Sequence, residues 1–329
     1  MLKEGRSQLG PDSSQDAQTV SQLGEFGLID RVTAGRPQSP GTLIGPGDDA
    51  AVLAAPDGRV VAATDVLVEG VHFRFDWSTP EQVGRKAVAV NLSDIAAMGA
   101  VPTGLLVGLA CSPDLPTNVA DELSAGMWEE AQRVGIGIVG GDMVSATSLT
   151  ISITALGDLQ GREPVTRSGA RPGDVVAVAG RLGWSAAGLA VLGRGFRSPV
   201  AVVGAHRVPE PPYAAGPQAA VAGATSMVDT SDGLLADLGH IAEASQVAID
   251  VRTEQVEVPQ RLTEVASALG ADARHWVLTG GEDQALAATF PPGRPLPEGW
   301  HAIGVVAEGA GVTVDGGEYE GPAGWEHWR

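Results

Sequence analysis

The chain is poor in cysteine and in lysine: Cys111 stands alone, and Lys3 and Lys86 are the two lysines among 329 residues. One thiol excludes an internal disulfide and a cysteine-rich metal site, so Cys111 is expected as a small buried residue near a strand end. Basic residues are few overall, 21 Lys and Arg against 40 Asp and Glu, for a net charge of −19. A surface of that sign cannot by itself hold phosphates, which argues against a nucleic-acid binder. If the ligand is anionic, cations must stand between it and the protein. Aromatics make up 4% of the chain, so the core must be built from Ala, Val, Leu and Ile. No apolar run approaches the roughly 20 residues that a membrane span needs. The opening "MLKEGRSQLGPDSSQDAQ" lacks an apolar stretch, so a secretory signal is not expected, and residues 1–18 read as a disordered tail of a soluble cytoplasmic protein.

Several nucleotide and metal signatures are also missing. There is no Walker loop, no kinase glycine loop, no EF-hand loop, no H-E-x-x-H and no G-x-S-x-G; "GWSAAG" at Gly183 has one residue too many for the last.

What is present is a series of acidic turns. They are "GPGDDAAVL" with Asp48 and Asp49, "ATD" with Asp65, "NLSD" with Asp94, "VGGD" with Asp142, "DTSDG" with Asp229 and Asp232, and "TGGED" with Glu282 and Asp283. Most fall where a strand ends or a helix begins, beside Gly, Ser or Thr. One such turn alone is ordinarily an Asx-turn or helix cap. A recurrent set without EF-hand spacing suits Mg²⁺, a hard cation that takes carboxylate oxygens and keeps several waters. Small neighbours also let phosphate approach the backbone.

The pattern of elements is mixed. Thr19 to Ala34 reads as a short helix, followed by strands in "DDAAVLAA" and "RVVAATDVLV". Thr79-Pro80-Glu81 opens a helix that runs to Gly99, with proline in the first turn. A strand "TGLLVGLAC", a helix capped by Thr117, and strands "IGIVGGD" and "SLTISITALGD" complete the first part. The order β-β-α-β-α-β-β is not the strict alternation of a doubly wound sheet. The loop "REPVTRSGARPGD" marks a boundary near Gly161, giving regions 19–160 and 161–329. Beyond it come a strand "DVVAVAG", a helix "SAAGLAVLGRG", a Pro-rich stretch, a helix, a strand "SMVDTS" and a helix "LLADLGHIAEAS". Lys86 lies ahead of "NLSD" and has two readings: a stem on apolar surface with its ammonium in water, or a catalytic role.

Taken in order, "GPGDDAAVL", "ATDVLVEGVHF", "KAVAVNLSDIAAMGA", "GGD", "TRSGARPGD", "DTSDGLLADLGHIAEAS" and "TGGEDQAL" resemble the thiamine-monophosphate kinase family. That family belongs to the superfamily of aminoimidazole ribonucleotide synthetase and selenophosphate synthetase. The resemblance covers about residues 23 to 328. It implies an α/β (α+β) two-domain PurM-like fold, with an N-terminal mixed-sheet domain that binds ATP and Mg²⁺ and pairs in a homodimer, and a C-terminal α/β domain. It implies transfer of the ATP γ-phosphoryl group to thiamine monophosphate. Carried over by motif, Asp49, Thr64, Asp65, Asp94, Asp142, Asp229 and Asp232 become ligands of several Mg²⁺ ions. Gly141, Asp142, Arg167 and Ser231 become nucleotide contacts, and His72, Glu282 and Trp325 of "GWEHW" become substrate contacts. Ala63 and Gln284 depart from the family pattern, which has Ser or Thr and an aromatic residue there. No general base is expected, because the acceptor oxygen is already anionic. The alternatives are another ATP-dependent enzyme of the superfamily and a non-catalytic Mg²⁺ and nucleotide binder. Absence of a cysteine near the start counts against the selenium enzyme.

Overall fold

The computed structural model describes residues 18–46 and 50–325. Residues 1–17 of the expected tail, Asp48, Asp49 and the last residues of "GWEHW" lie outside them; Gln18 is described, its carbonyl accepting from the Thr117 amide at 2.8 Å. The chain forms two compact units that interleave along the sequence. The first gathers the described residues up to Ala55 with Ala62–Asn91 and Pro102–Leu156; the second gathers Pro56–Val61, Leu92–Val101 and the described residues from Gly157 onward.

The elements of the first part are α1 (Val20–Leu23), α2 (Glu25–Thr33), β1 (Thr42–Ile44), β2 (Val52–Leu53), β3 (Val61–Val68), α3 (Pro80–Ala97), β4 (Val101–Cys111), α4 (Thr117–Arg133), β5 (Ile138–Ser145) and β6 (Thr150–Asp158). Where one helix was expected before residue 34 there are two, because Gly24 at φ 78° breaks the run. The long helix α3 starts as its sequence dictates: the Gln82 amide donates to Thr79 Oγ1 and the Thr79 amide to Gln82 Oε1, a capping box ahead of Pro80. Thr117 is not the cap of α4; Pro116 holds that position and Thr117 is the first helical residue. A proline ahead of the helix sets extended backbone there, and the hydroxyl is one residue too late to reach back.

Strands β3, β6, β4 and β5 form a four-stranded sheet in that order, with β4 and β5 parallel. Alternation along β6 buries Ile151, Ile153 and Ala155. On α4, Val119, Ala120, Leu123, Met127 and Ala131 are buried at helical spacing. Helices α3 and α4 touch backbone to backbone: a Cβ on Gly84 would lie 2.0 Å from the Leu123 carbonyl oxygen, and one on Gly126 would lie 1.9 Å from that of Glu81. Cys111 closes β4 and is buried, as expected of it.

The second part contains β7 (Val175–Ala179), α5 (Trp184–Gly193), α6 (Val200–Arg207), α7 (Ala215–Ala222), β8 (Ser226–Asp229), α8 (Leu234–Ser245), β9 (Ala248–Val251), α9 (Gln260–Leu269), α10 (Ala273–Thr279), β10 (Leu286–Phe290), β11 (Trp300–Ala307) and β12 (Gly311–Val314). Helix α6 had no sequence signal of its own, being short and bounded by proline. The six strands run β12-β9-β11-β7-β10-β8, antiparallel except for β12 with β9. Phe290 and Trp300 meet edge to face at 5.3 Å within a core of alanines, Met227 and Leu286.

Candidate active site

In the first unit, β3 carries Thr64 and Asp65, both exposed. The Thr64 hydroxyl donates to the Ile153 carbonyl at 2.9 Å, which pins it to β6. The Asp65 amide donates to Asn91 Oδ1 at 2.9 Å, and Asn91 Nδ2 donates to the Ala87 carbonyl. Asn91 is fully buried and had not been singled out in the sequence; its signal was its place inside "NLSD", three residues ahead of Asp94 and thus on the same face of α3. Asp94 is half-buried.

His72 sits in the turn after β3. Its Nδ1 accepts from the Val68 amide at 3.0 Å, which makes it a neutral ring carrying its proton on Nε2. Lys86 does not send its ammonium into water. The residue is 4% exposed and Nζ donates to the His72 carbonyl at 3.1 Å, so it braces this turn. On β5, Asp142 is exposed and caps its own neighbour, accepting from the Met143 amide at 2.8 Å. Gly141 has a packing reason to be glycine: a Cβ there would lie 2.0 Å from the Val107 carbonyl oxygen. Strands β3 and β5 are the two edges of the sheet, with β6 and β4 between them. Three strand spacings amount to roughly 14 Å, so Asp65 and Asp142 are not ligands of one ion within this sheet.

In the second unit, β8 ends at Asp229, which is 5% exposed. The turn Thr230 to Gly233 then leads into α8. Gly233 has φ 129° and a Cβ there would lie 2.6 Å from the Thr279 carbonyl oxygen, so glycine is required twice over. Asp237, one turn into α8, accepts from the amides of Asp232 at 3.1 Å and Gly233 at 3.0 Å. Burial pushes its carboxyl up to about 8, and the negative charges of Asp229 and Asp232 add to that. Among the described residues, Asp232, Asp237 and His240 bring three ligand atoms within 4.8 Å of one another. The two carboxylate oxygens are the hard donors that Mg²⁺ takes, while the His240 nitrogen is a softer donor that Mg²⁺ does not need. Asp237 was missed in the sequence because an acid in a first helical turn is common; its signal was its spacing behind "SDG".

The antiparallel register of β10 on β8 sets Leu286 opposite Asp229. The pairing runs on beyond the strands: the Thr230 amide donates to the Ala285 carbonyl at 2.8 Å, the Gln284 amide to Thr230 at 3.0 Å and the Glu282 amide to Ser231 at 2.7 Å. "DTSDG" and "TGGED" thereby lie side by side. Glu282 at φ 64° and Gln284 at φ 55° are left-handed without being glycine, a costly backbone that clusters at functional sites. The Trp325 amide donates to the Asp232 carbonyl at 2.9 Å, and its ring is exposed at 63%. Glu282, Ser231, Asp232 and Trp325 are therefore neighbours along one backbone seam. Arg167 is exposed in the loop before β7, its carbonyl accepting from the Ser245 hydroxyl at 2.9 Å.

Asp283 differs from the other acids. It is buried, and its oxygens accept from the Gly183 and Ser185 amides at the start of α5, the latter at 2.8 Å. Burial outweighs these bonds and lifts its carboxyl to about 7.

Residues 47–159 match the family model for AIR synthase related protein, N-terminal domain. That stretch, which carries Asp65, Asp94 and Asp142, is thus similar to the N-terminal domain of the AIR synthase related class. The chain is 53% identical over 313 residues to thiamine-monophosphate kinase of Mycobacterium tuberculosis, covering 94% of this chain and 93% of that protein. It is 41% identical over 331 residues to the enzyme of that name from Corynebacterium glutamicum, covering 97% of each. Among solved structures, AaThiL complexed with AMPPCP and TMP matches with a TM-score of 0.78 and 33% identity, over 95% of this chain and 100% of that one. The chain belongs to the thiamine-monophosphate kinase family.

Proposed function

We propose that this chain catalyses ATP-dependent phosphorylation of thiamine monophosphate, giving thiamine diphosphate. The observation that carries the reading is identity above one half to a thiamine-monophosphate kinase over 94% of the chain. The seam that sets Glu282 and Trp325 beside Ser231 and Asp232 supports it.

The acceptor is a phosphate oxygen that is anionic near neutral pH, so no residue has to remove a proton. The barrier is the approach of two polyanions. Two unit charges about 4 Å apart repel by roughly 4 kcal/mol at an effective dielectric of about 20, and phosphates carry more than one charge each. Magnesium, when bound, supplies the positive charge that offsets this repulsion and the charge on the transferring group. Asp49, Thr64, Asp65, Asp94, Asp142, Asp229 and Asp232 would hold it, and the separation of β3 from β5 favours several ions over one. Gly141, Asp142, Ser231 and Arg167 take the nucleotide, Arg167 offering a guanidinium fork to phosphate oxygens. His72, Glu282 and Trp325 take the acceptor, the indole face suiting a cationic thiazolium. Transfer is direct and in line, with no phosphoenzyme.

On this reading residues 19–160 carry most of the ATP and magnesium contacts and the dimer contact, and residues 161–329 the remainder. Exposed Leu43, Ile44, Val52, Val66 and Val144 on the strands of the first unit support a second copy as partner. No helix among the described residues is long and apolar enough to cross a membrane, which accords with a cytoplasmic enzyme.

The test is a coupled assay with ATP, Mg²⁺ and thiamine monophosphate, run with Asp94→Asn and Asp232→Asn. Both variants are expected to keep the fold by circular dichroism and to lose thiamine diphosphate formation by at least about a hundredfold. Near-normal turnover in both would reject the metal assignment. A wild-type protein that binds ATP but releases no ADP with thiamine monophosphate would reject the enzyme.

A further inference from the structure

Glu282 is held from the side as well as along its backbone. His206, in the last turn of α6, is 7% exposed. Its Nδ1 lies 3.0 Å from the Ser185 hydroxyl and 3.4 Å from Glu282 Oε2. A carboxylate can only accept, so the tautomer with its proton on Nδ1 satisfies this arrangement, the N–H facing both oxygens. Ser185, in the first turn of α5, is 1% exposed.

The crossing of α5 and α6 makes the reach geometrically accessible. A Cβ on Gly188 would stand 2.2 Å from the Val202 carbonyl oxygen and 2.7 Å from the His206 Cβ. A glycine at the contact is what allows α6 to bring the imidazole so close to α5. The neighbouring Asp283 meanwhile binds the amides of Gly183 and Ser185, so the segment from Glu282 to Gln284 is anchored on α5 by its own side chain. A left-handed backbone at both Glu282 and Gln284 persists only where the surroundings over-determine it. These anchors do so, and the imidazole adds a contact to the Glu282 carboxylate itself. That side chain is 35% exposed, so it is partly open to an approaching ligand while His206 lies against its Oε2.

We propose that His206, backed by Ser185, is a positioning residue that fixes the Glu282 carboxylate for the acceptor substrate. The inference rests on the reading of Glu282 as an acceptor contact given above. It predicts that the imidazole governs binding of thiamine monophosphate and not that of ATP.

The experiment is steady-state kinetics on His206→Phe, His206→Asn and Ser185→Ala, with each substrate varied in turn. Phenylalanine keeps the ring and removes Nδ1; asparagine returns an N–H donor to nearly the same place. His206→Phe is expected to raise KM for thiamine monophosphate about tenfold, with kcat and KM for ATP within about twofold. His206→Asn is expected to recover to within about threefold of wild type, and Ser185→Ala to raise the same KM by about threefold. In a Glu282→Gln background, His206→Phe should add less than about twofold, because the contact is already weakened. An unchanged KM for thiamine monophosphate in His206→Phe, an equal rise in both KM values, or full additivity with Glu282→Gln would overturn the proposal. If His206→Phe fails to fold, His206→Asn and Ser185→Ala decide: loss of the asparagine rescue together with an indifferent Ser185→Ala overturns it. Wild-type protein that makes no thiamine diphosphate sinks the function and this role with it. An active wild type with an indifferent His206→Phe sinks this role alone.

Discussion

Replacing Asp283 gives a test of how the "TGGED" loop is held. Its carboxylate is 8% exposed and accepts the Gly183 and Ser185 amides at the start of α5, a helix whose cap residue has no side chain to do so. In Asp283→Ala two buried donors lose their partner, at about 1–3 kcal/mol each, so the loss is expected near 4 kcal/mol. For a unit of this size that lowers Tm by roughly 10 °C. Asp283→Asn keeps one acceptor and turns an NH₂ toward the other amide, so about half that loss is expected. The pH dependence separates this account from mere packing. The folded carboxyl sits at about 7, above its unfolded value near 3.8, so the folded state binds the proton more tightly. Its contribution is full below pH of about 4 and is lost as pH rises to about 7. That loss is worth on the order of 4 kcal/mol. In urea titrations followed by circular dichroism, the stability of wild type relative to Asp283→Asn should fall steadily from pH 4.5 to about 7, changing sign on the way, and level off above that. Two curves that stay parallel over that range would refute the burial argument, and an Asp283→Ala protein as stable as wild type would refute the capping argument.

Two further substitutions bear on the acceptor side. Trp325→Ala should leave unfolding free energy within about 0.5 kcal/mol, since the ring is 63% exposed, while raising KM for thiamine monophosphate and not for ATP; a matching change in Tm would make it a packing residue. Gly188→Ala gains helix propensity but drives a Cβ against the Val202 carbonyl and His206, so a net loss of about 2 kcal/mol by urea unfolding is expected, with KM for thiamine monophosphate moving as in His206→Phe.

Much of this molecule is legible locally. The capping box at Thr79, the alternation in β6 and the apolar stripe of α4 are decided by residues within a few positions of one another, where period and hydrogen-bonding chemistry act directly. The acidic turns could be counted in the sequence, and their ordered set carried the family. The errors were also local in origin. Thr117 looked like a cap because hydroxyls favour caps, but Pro116 had already set the extended backbone there. Lys86 has two readings in the sequence, a solvated ammonium or a catalytic one; a carbonyl supplied by the His72 turn keeps its ammonium inside, which goes against the first.

What no stretch of sequence could decide was which turns meet. Glu282 lies beside Ser231 because β10 pairs antiparallel with β8 in one register, and a slip of one residue would turn every side chain to the other face. Asp237 is perturbed because the fold buries it and sets Asp229 and Asp232 against it, and His206 reaches Glu282 because a glycine lets two helices touch. Composition and short-range pattern fix what each segment is, since those energies are local. Proximity across the chain depends on pairing and packing summed over the whole unit, and that sum exists only once it has folded.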